Sequence, residues 1–209
     1  MTAPHIGLAS GKEFDLVRSM LARWGTTATG IGDDAAVLDV PPGERVVVST
    51  DASVEGVHFR REWLTPLEIG YRATAAALSD LAAMGATPRG LVIALGIPER
   101  WLGDVEALAD GIGEAARLAG TPIVGGDISR AGELSVTCTV IGSTATPTRR
   151  DQVRPGDLLY VTGVLGGPAS ALRAMQRGEV VEPLARERLA RPRPRLQEGV
   201  WLAQHGVRA

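Results

Sequence analysis

The sequence predicts an α/β fold, because helix-period and strand-period segments alternate along it with small-residue turns between them. Residues 91–97 form a nearly continuous apolar run, the pattern of a strand buried on both faces. Residues 133–142 alternate Leu134, Val136, Cys138 and Val140 against Ser135, Thr137 and Thr139, as a half-exposed strand does.

The remaining elements follow in order. Residues 13–23 place Phe14, Val17, Met20 and Leu21 on one helical face. Two short strands, 36–40 and 45–50, flank Pro41-Pro42-Gly43 and are expected to form a hairpin, the second running straight into Asp51. Thr65-Pro66-Leu67-Glu68 has the form of a capping box with proline at the first helical position, opening a helix to about residue 84. Its alanines allow close approach to a sheet or a second helix. Residues 101–119 return to helical spacing and Gly120 ends them. A brief strand at 122–124 should stop at Gly125-Gly126-Asp127. Residues 144–152 are polar, contain Pro147 and are read as a linker. Beyond them lie a strand at 158–162, a helix from about Pro168, and helices around 183–190 and 196–205.

Composition narrows the chemistry. Of 209 residues, 44% are hydrophobic and 22% charged, and the net charge is −2, so no global field draws the chain to nucleic acid or an anionic membrane. Lys12 is the only lysine, and no Gly-Lys-Ser/Thr occurs, which excludes a standard P-loop. Cys138 is the only cysteine, which excludes an intrachain disulfide and a cysteine-rich metal site. Residues 1–10 lack the pattern of a secretory signal, and no apolar run reaches about 20 residues, so the cytoplasm is expected.

Four acidic sites share one context, at small-residue turns or where regular structure meets a loop: Gly32-Asp33-Asp34, Ser49-Thr50-Asp51, Ser79-Asp80 and Gly125-Gly126-Asp127. A set rich in aspartate and poor in histidine and cysteine suits Mg²⁺ rather than Zn²⁺, because Mg²⁺ prefers hard oxygen donors and usually bridges carboxylates to phosphates. Singly, each has a plain structural reading: Asp33-Asp34 as a surface turn, Asp51 and Asp127 as caps, Asp80 as an exposed helical residue. The case rests on the four together. His58 in a polar loop and the Arg149-Arg150 pair read first as solvated residues, and the loop from Gly163 to Gly167 reads equally as a phosphate cradle or a strand-to-helix turn.

Taken in order and spacing, these motifs resemble thiamine-monophosphate kinase, of the aminoimidazole-ribonucleotide synthetase superfamily. The residues that carry the likeness are Gly30-Ile31-Gly32-Asp33-Asp34-Ala35-Ala36, Ser49-Thr50-Asp51, Gly56-Val57-His58-Phe59 and Leu78-Ser79-Asp80-Leu81-Ala82-Ala83-Met84-Gly85-Ala86. Gly125-Gly126-Asp127, Arg150 ahead of Pro155-Gly156-Asp157, and Tyr160-Val161-Thr162-Gly163 extend it. The resemblance implies transfer of the γ-phosphoryl of ATP to thiamine monophosphate, with several Mg²⁺ ions, in a homodimer. It makes Asp34, Asp51, Asp80 and Asp127 metal ligands, with Ser49 and Thr50 adding oxygens and Asp33 ranking lower. Gly126, Asp127 and Arg150 would meet ATP, and His58 would lie near thiamine monophosphate. No residue beyond the metal ligands is assigned a catalytic role.

The resemblance also implies an N-terminal mixed-sheet α/β domain over residues 1–145, with α+β character, that binds Mg-ATP and dimerises. A second α/β domain would start at 146 and be incomplete at 209. An Asp-x-Ser-Asp-Gly-Leu segment of the family falls past the last residue, so the 209-residue chain is expected to bind Mg-nucleotide weakly without turnover. Three other readings remain: a purine-pathway synthetase, a hydrogenase-maturation enzyme of the same superfamily, and a non-catalytic Mg-nucleotide-binding module.

Overall fold

The computed structural model describes residues 11–207; the expectation about a signal at residues 1–10 lies outside them. Four strands, β1 (Arg45–Val54), β2 (Thr87–Ile97), β3 (Ile123–Arg130) and β4 (Ser135–Thr144), make one mixed sheet in the order β1-β4-β2-β3. β4 runs antiparallel to β1 and β2, and β3 runs parallel to β2. Six α-helices are described: α1 (Lys12–Trp24), α2 (Pro66–Ala83), α3 (Val105–Leu118), α4 (Gly167–Arg177), α5 (Pro183–Ala190) and α6 (Leu196–Gln204). None of the described helices is long and apolar enough to cross a membrane.

The helices cover one face of the sheet. Leu91, Ile93, Leu95 and Ile97 of β2 and Val136, Cys138 and Val140 of β4 are buried beneath α2 and α3. Cys138 contacts Thr74 of α2 at 3.9 Å, and burial pushes its thiol up to about 12, so it packs as an apolar residue.

The capping box of α2 forms as expected: the Glu68 amide donates to Thr65 Oγ1 at 3.3 Å, and the Thr65 amide donates to Glu68 Oε2 at 2.8 Å. Small residues then let α2 and α3 meet at backbone distance. A Cβ on Gly70 would lie 2.2 Å from the Leu108 carbonyl oxygen, and one on Gly111 would lie 1.9 Å from that of Leu67. α6 sits as closely over the end of α2, where a Cβ on Gly199 would lie 2.0 Å from the Ala82 carbonyl oxygen.

Three expectations change. Residues 36–40 form no strand and no hairpin: Pro41 and Pro42 lack amide donors, and β1 pairs with β4 instead. Leu38 packs on Gly90 and Val37 is left 94% exposed. Residues 158–162 form no strand either, because they pair with no described strand; Leu158, Leu159, Tyr160 and Val161 are all exposed. Finally, β1 and β3 run past their expected ends, so Asp51 and Asp127 lie inside strands rather than in loops.

The loop after β1 is pinned at both ends. Phe59 is buried edge-on against Trp101, with ring centroids 6.5 Å apart. The Glu55 carboxylate accepts from Trp101 Nε1 at 2.8 Å, from Arg100 Nη2 at 2.9 Å and from the Leu134 amide at 3.4 Å. Burial raises the Glu55 pKa, but these donors and the Arg100 charge outweigh it and hold the carboxyl below the usual carboxylate range.

Two predictions follow from this packing. Gly111→Ala drives a methyl into the Leu67 carbonyl and is expected to destabilise the fold by about 1–3 kcal/mol, read from urea unfolding. A loss under about 0.5 kcal/mol would mean that the helices can separate freely. For Glu55, the native pKa lies below the unfolded one. Its stabilisation is therefore complete above the unfolded value and lost as pH falls through the native value. Glu55→Gln should lower stability at pH 6 and shrink the further loss between about pH 5 and 3; an acid loss as steep as the parent's would contradict this.

Candidate functional site

The predicted site residues fall into two groups on the sheet. The first surrounds a cavity of about 450 Å³ beside β3. Asp33 and Asp34 form one wall, Gly125, Gly126 and Asp127 another, and the apolar face of α1 (Phe14, Val17, Met20, Leu21) a third. The approach of these walls is fixed locally: Ala28 bridges to Ile123, and the Thr29 amide donates to the Ile123 carbonyl at 2.9 Å. The chain then turns through Gly32, whose φ of 125° favours glycine. Asp33 Oδ1 accepts the Asp34 amide at 2.9 Å, so Asp33 caps the turn locally. Gly126 lets β3 lie flush on β2, where a Cβ would come within 2.2 Å of the Ile93 carbonyl oxygen.

The second group lies between β1 and the end of α2. Strand alternation puts Ser49 and Asp51 on the helix-covered face and Thr50 on the open one. Ser49 Oγ donates to Asp80 Oδ2 at 2.5 Å, joining β1 to the last turns of α2. Thr50 Oγ1 instead shares a 2.9 Å hydrogen bond with Thr139 Oγ1 of β4. His58 is exposed; its Nδ1 accepts the Val54 amide at 3.1 Å, which leaves Nε2 to carry the ring proton outward. Arg150 lies exposed in a short turn at Arg150–Gln152 and lines neither group.

β1 and β3 are the two edge strands, so Asp51 and Asp127 stand three strand spacings apart, about 14 Å. No three His, Cys, Asp or Glu side chains among the described residues come together as a metal-binding group. The donors themselves are carboxylate and hydroxyl oxygens. That chemistry fits Mg²⁺, which is commonly held by one or two carboxylates, with phosphate and water oxygens completing its shell.

Arg72 is the residue that sequence reasoning passed over. On α2 it is half-buried, its Nη1 donates to the His58 carbonyl at 3.4 Å, and the charge of Asp51 acts on it. Burial lowers its pKa and Asp51 opposes the shift, so the guanidinium stays charged. The signal was available: Arg72 is the only charged residue between Glu68 and Asp80, in a run of small and apolar residues.

The mixed sheet, its helical cover, the Ser49–Asp80 hydrogen bond and the cavity lined by Asp34 and Asp127 define a class that comparison identifies. The chain belongs to the AIR synthase related family, whose N-terminal domain matches residues 32–144. Within it, the chain is similar to thiamine-monophosphate kinases. It is 36% identical to the Bacillus subtilis (strain 168) enzyme over 200 residues, covering 90% of this chain and 62% of that protein. The thiamine-monophosphate kinase structure from Stenotrophomonas maltophilia K279a superposes with a TM-score of 0.79 at 37% identity, covering 92% of this chain and 65% of that one. AaThiL complexed with AMPPCP and TMP superposes with a TM-score of 0.73 at 28% identity, over 95% of this chain and 66% of that one. This chain thus spans a little under two thirds of the B. subtilis and S. maltophilia relatives.

Asp80→Asn is expected to preserve the fold, because an amide oxygen still accepts from Ser49, and to weaken Mg²⁺ binding on the order of tenfold by calorimetry. Unchanged affinity would remove Asp80 from the ligand set.

Proposed function

We propose that this chain is the nucleotide- and metal-binding part of a thiamine-monophosphate kinase, which transfers the γ-phosphoryl of ATP to thiamine monophosphate and yields thiamine diphosphate and ADP. The observation that carries the reading is the cavity of about 450 Å³ that gathers Asp33, Asp34, Gly126 and Asp127 against the apolar face of α1. Its size and mixed lining suit a nucleotide. The kinase names of the relatives, and a neighbour complexed with AMPPCP and TMP, support the same substrates.

Donor and acceptor are both phosphates, so the task is to align two anions and offset their charge. Asp34, Asp51, Asp80 and Asp127 would hold Mg²⁺, with Ser49 and Thr50 as further oxygen donors. When bound, the ions would supply neutralisation of the phosphates in a chain whose single lysine is Lys12. Gly126 lines the cavity and would lie against the nucleotide, Arg150 would reach the ATP phosphates, and His58 would present Nε2 to the thiamine phosphate. In-line transfer then needs no covalent intermediate.

We place the protein in the cytoplasm and read it as a homodimer built on residues 1–145, with a second domain beginning at 146. Two features support a second copy. The ten-residue edge strand β1 exposes Val46 and Val48 at 57% and 59%. The separation of Asp51 from Asp127 also leaves each half of the acid set short of ligands within one chain.

The 209-residue chain is expected to bind ATP in a Mg²⁺-dependent manner by calorimetry. Chromatography should detect thiamine diphosphate only from a chain that also carries the rest of the relatives' length. Failure to bind ATP would sink the nucleotide reading. Binding by the longer protein with no product would point to a non-catalytic module instead.

A further inference from the structure

Arg72 lacks the partner that its place on α2 would give it. Glu68, four residues earlier, is the expected helical ion-pair partner. Its Oε2 is already engaged, accepting the Thr65 amide and Arg186 Nη2, each at 2.8 Å. Ile69, Ala75 and Ala76, the other neighbours on that side of the helix, have no side-chain acceptor. On its outer side Arg72 lines a cleft of about 260 Å³ with Arg188 and Arg193, in whose lining no carboxylate stands. The half-buried guanidinium therefore has the His58 carbonyl as its acceptor and Asp51 as the opposite charge acting on it. A charge taken partly out of water keeps its place against groups that compensate it, which here belong to the His58 loop and to β1.

The loop that Arg72 reaches is closed on itself. The Val57 and His58 amides donate to the Val54 carbonyl at 3.2 and 2.9 Å, and the Gly56 amide donates to the Phe59 carbonyl at 2.9 Å. His58 Nδ1 accepts the Val54 amide at 3.1 Å. These bonds set the imidazole relative to its own loop, not relative to α2, which carries Asp80. Phe59 is anchored on Trp101, away from α2. The bond from Arg72 Nη1 to the His58 carbonyl joins the loop to the helix, and that carbonyl belongs to the same residue as the ring.

We propose that Arg72 is a positioning residue, which ties the His58 carbonyl to α2 beside Asp51 and so fixes where the His58 imidazole stands relative to Asp51 and Asp80. The role rests on the kinase reading above, in which His58 meets the acceptor phosphate and the aspartates hold Mg²⁺. Arg72 acts through His58 and touches neither substrate. Its positive charge works against a cation at Asp51, so removing it takes no attraction away from the metal. A lost grip on His58 and a general loosening of the fold therefore leave different signatures.

Arg72→Met keeps the aliphatic stem and removes the guanidinium, whereas Arg72→Lys keeps the charge and a donor. In a chain carrying the rest of the relatives' length, Arg72→Met is expected to raise KM for thiamine monophosphate on the order of tenfold, with KM for ATP unchanged and Mg²⁺ affinity not reduced. Arg72→Lys, the milder change, should move the same constant in the same direction by less. Adding Arg72→Met to His58→Ala should cost nothing further, because both act at one group. Losses that add in the double variant, or KM values for both substrates rising together, overturn the positioning role. Hydrogen exchange in the 209-residue chain gives a readout without turnover: Arg72→Met should speed exchange of the 54–59 amides and leave those of β4 unchanged. Unchanged exchange in the loop overturns the inference whatever the kinetics. Faster loop exchange, with a longer protein that forms no thiamine diphosphate, upholds the tie to the loop and sinks the kinase reading instead.

Discussion

Helix α2 packs on the sheet and, with glycine at its point of closest approach, against α3, and most of the site geometry depends on where it sits. Gly70 and Gly111 let the two helices touch backbone to backbone, while α2 itself packs on β1 and β4. A helix one methyl farther out would carry Asp80 away from Ser49 and Thr74 away from Cys138. The interior offers no slack to absorb such a shift, because cores are packed at crystal-like density. One helix thereby fixes three polar side chains at once: Arg72 toward His58 and Asp51, Ser79 toward the space shared with Arg188 and Arg193, and Asp80 toward β1.

The sheet imposes a second constraint. Strand alternation separates Ser49 and Asp51 from Thr50, although the three are contiguous in sequence. Strand order separates Asp51 from Asp127 by the full width of the sheet. A site that used all of these oxygens would need something to bring the two edges together, and the exposed valines of β1 lie on the strand where a second copy could pair.

Much of the fold was legible because local signals agreed with the tertiary outcome. The capping box of α2, the apolar run of β2 and the alternation of β4 each reported the environment that the residues occupy. The misreadings share one cause. Residues 36–40 and 158–162 have the composition of strands, but a strand exists only when a partner edge satisfies its amides and carbonyls, and local pattern carries no record of that partner. Asp51 and Asp127 were read as loop residues for a related reason: glycine and small polar neighbours mark turns, but Gly126 serves instead to let β3 lie against Ile93. The residue types of the acid set could be read from the chain; their division into two groups could not.

The same contrast explains why Arg72 escaped notice while the aspartates did not. A carboxylate beside glycine announces itself by motif, whereas one arginine in a helix of alanines looks like a solvated residue. Its meaning comes from burial and from what faces it. Arg72 stays charged while half-buried because the His58 carbonyl and the Asp51 charge accept its field on one side, leaving the other side to the cleft shared with Arg188 and Arg193. Carboxylates on β1 and at the end of α2, and guanidiniums one helical face away, place opposite charges on either side of the same short stretch of backbone.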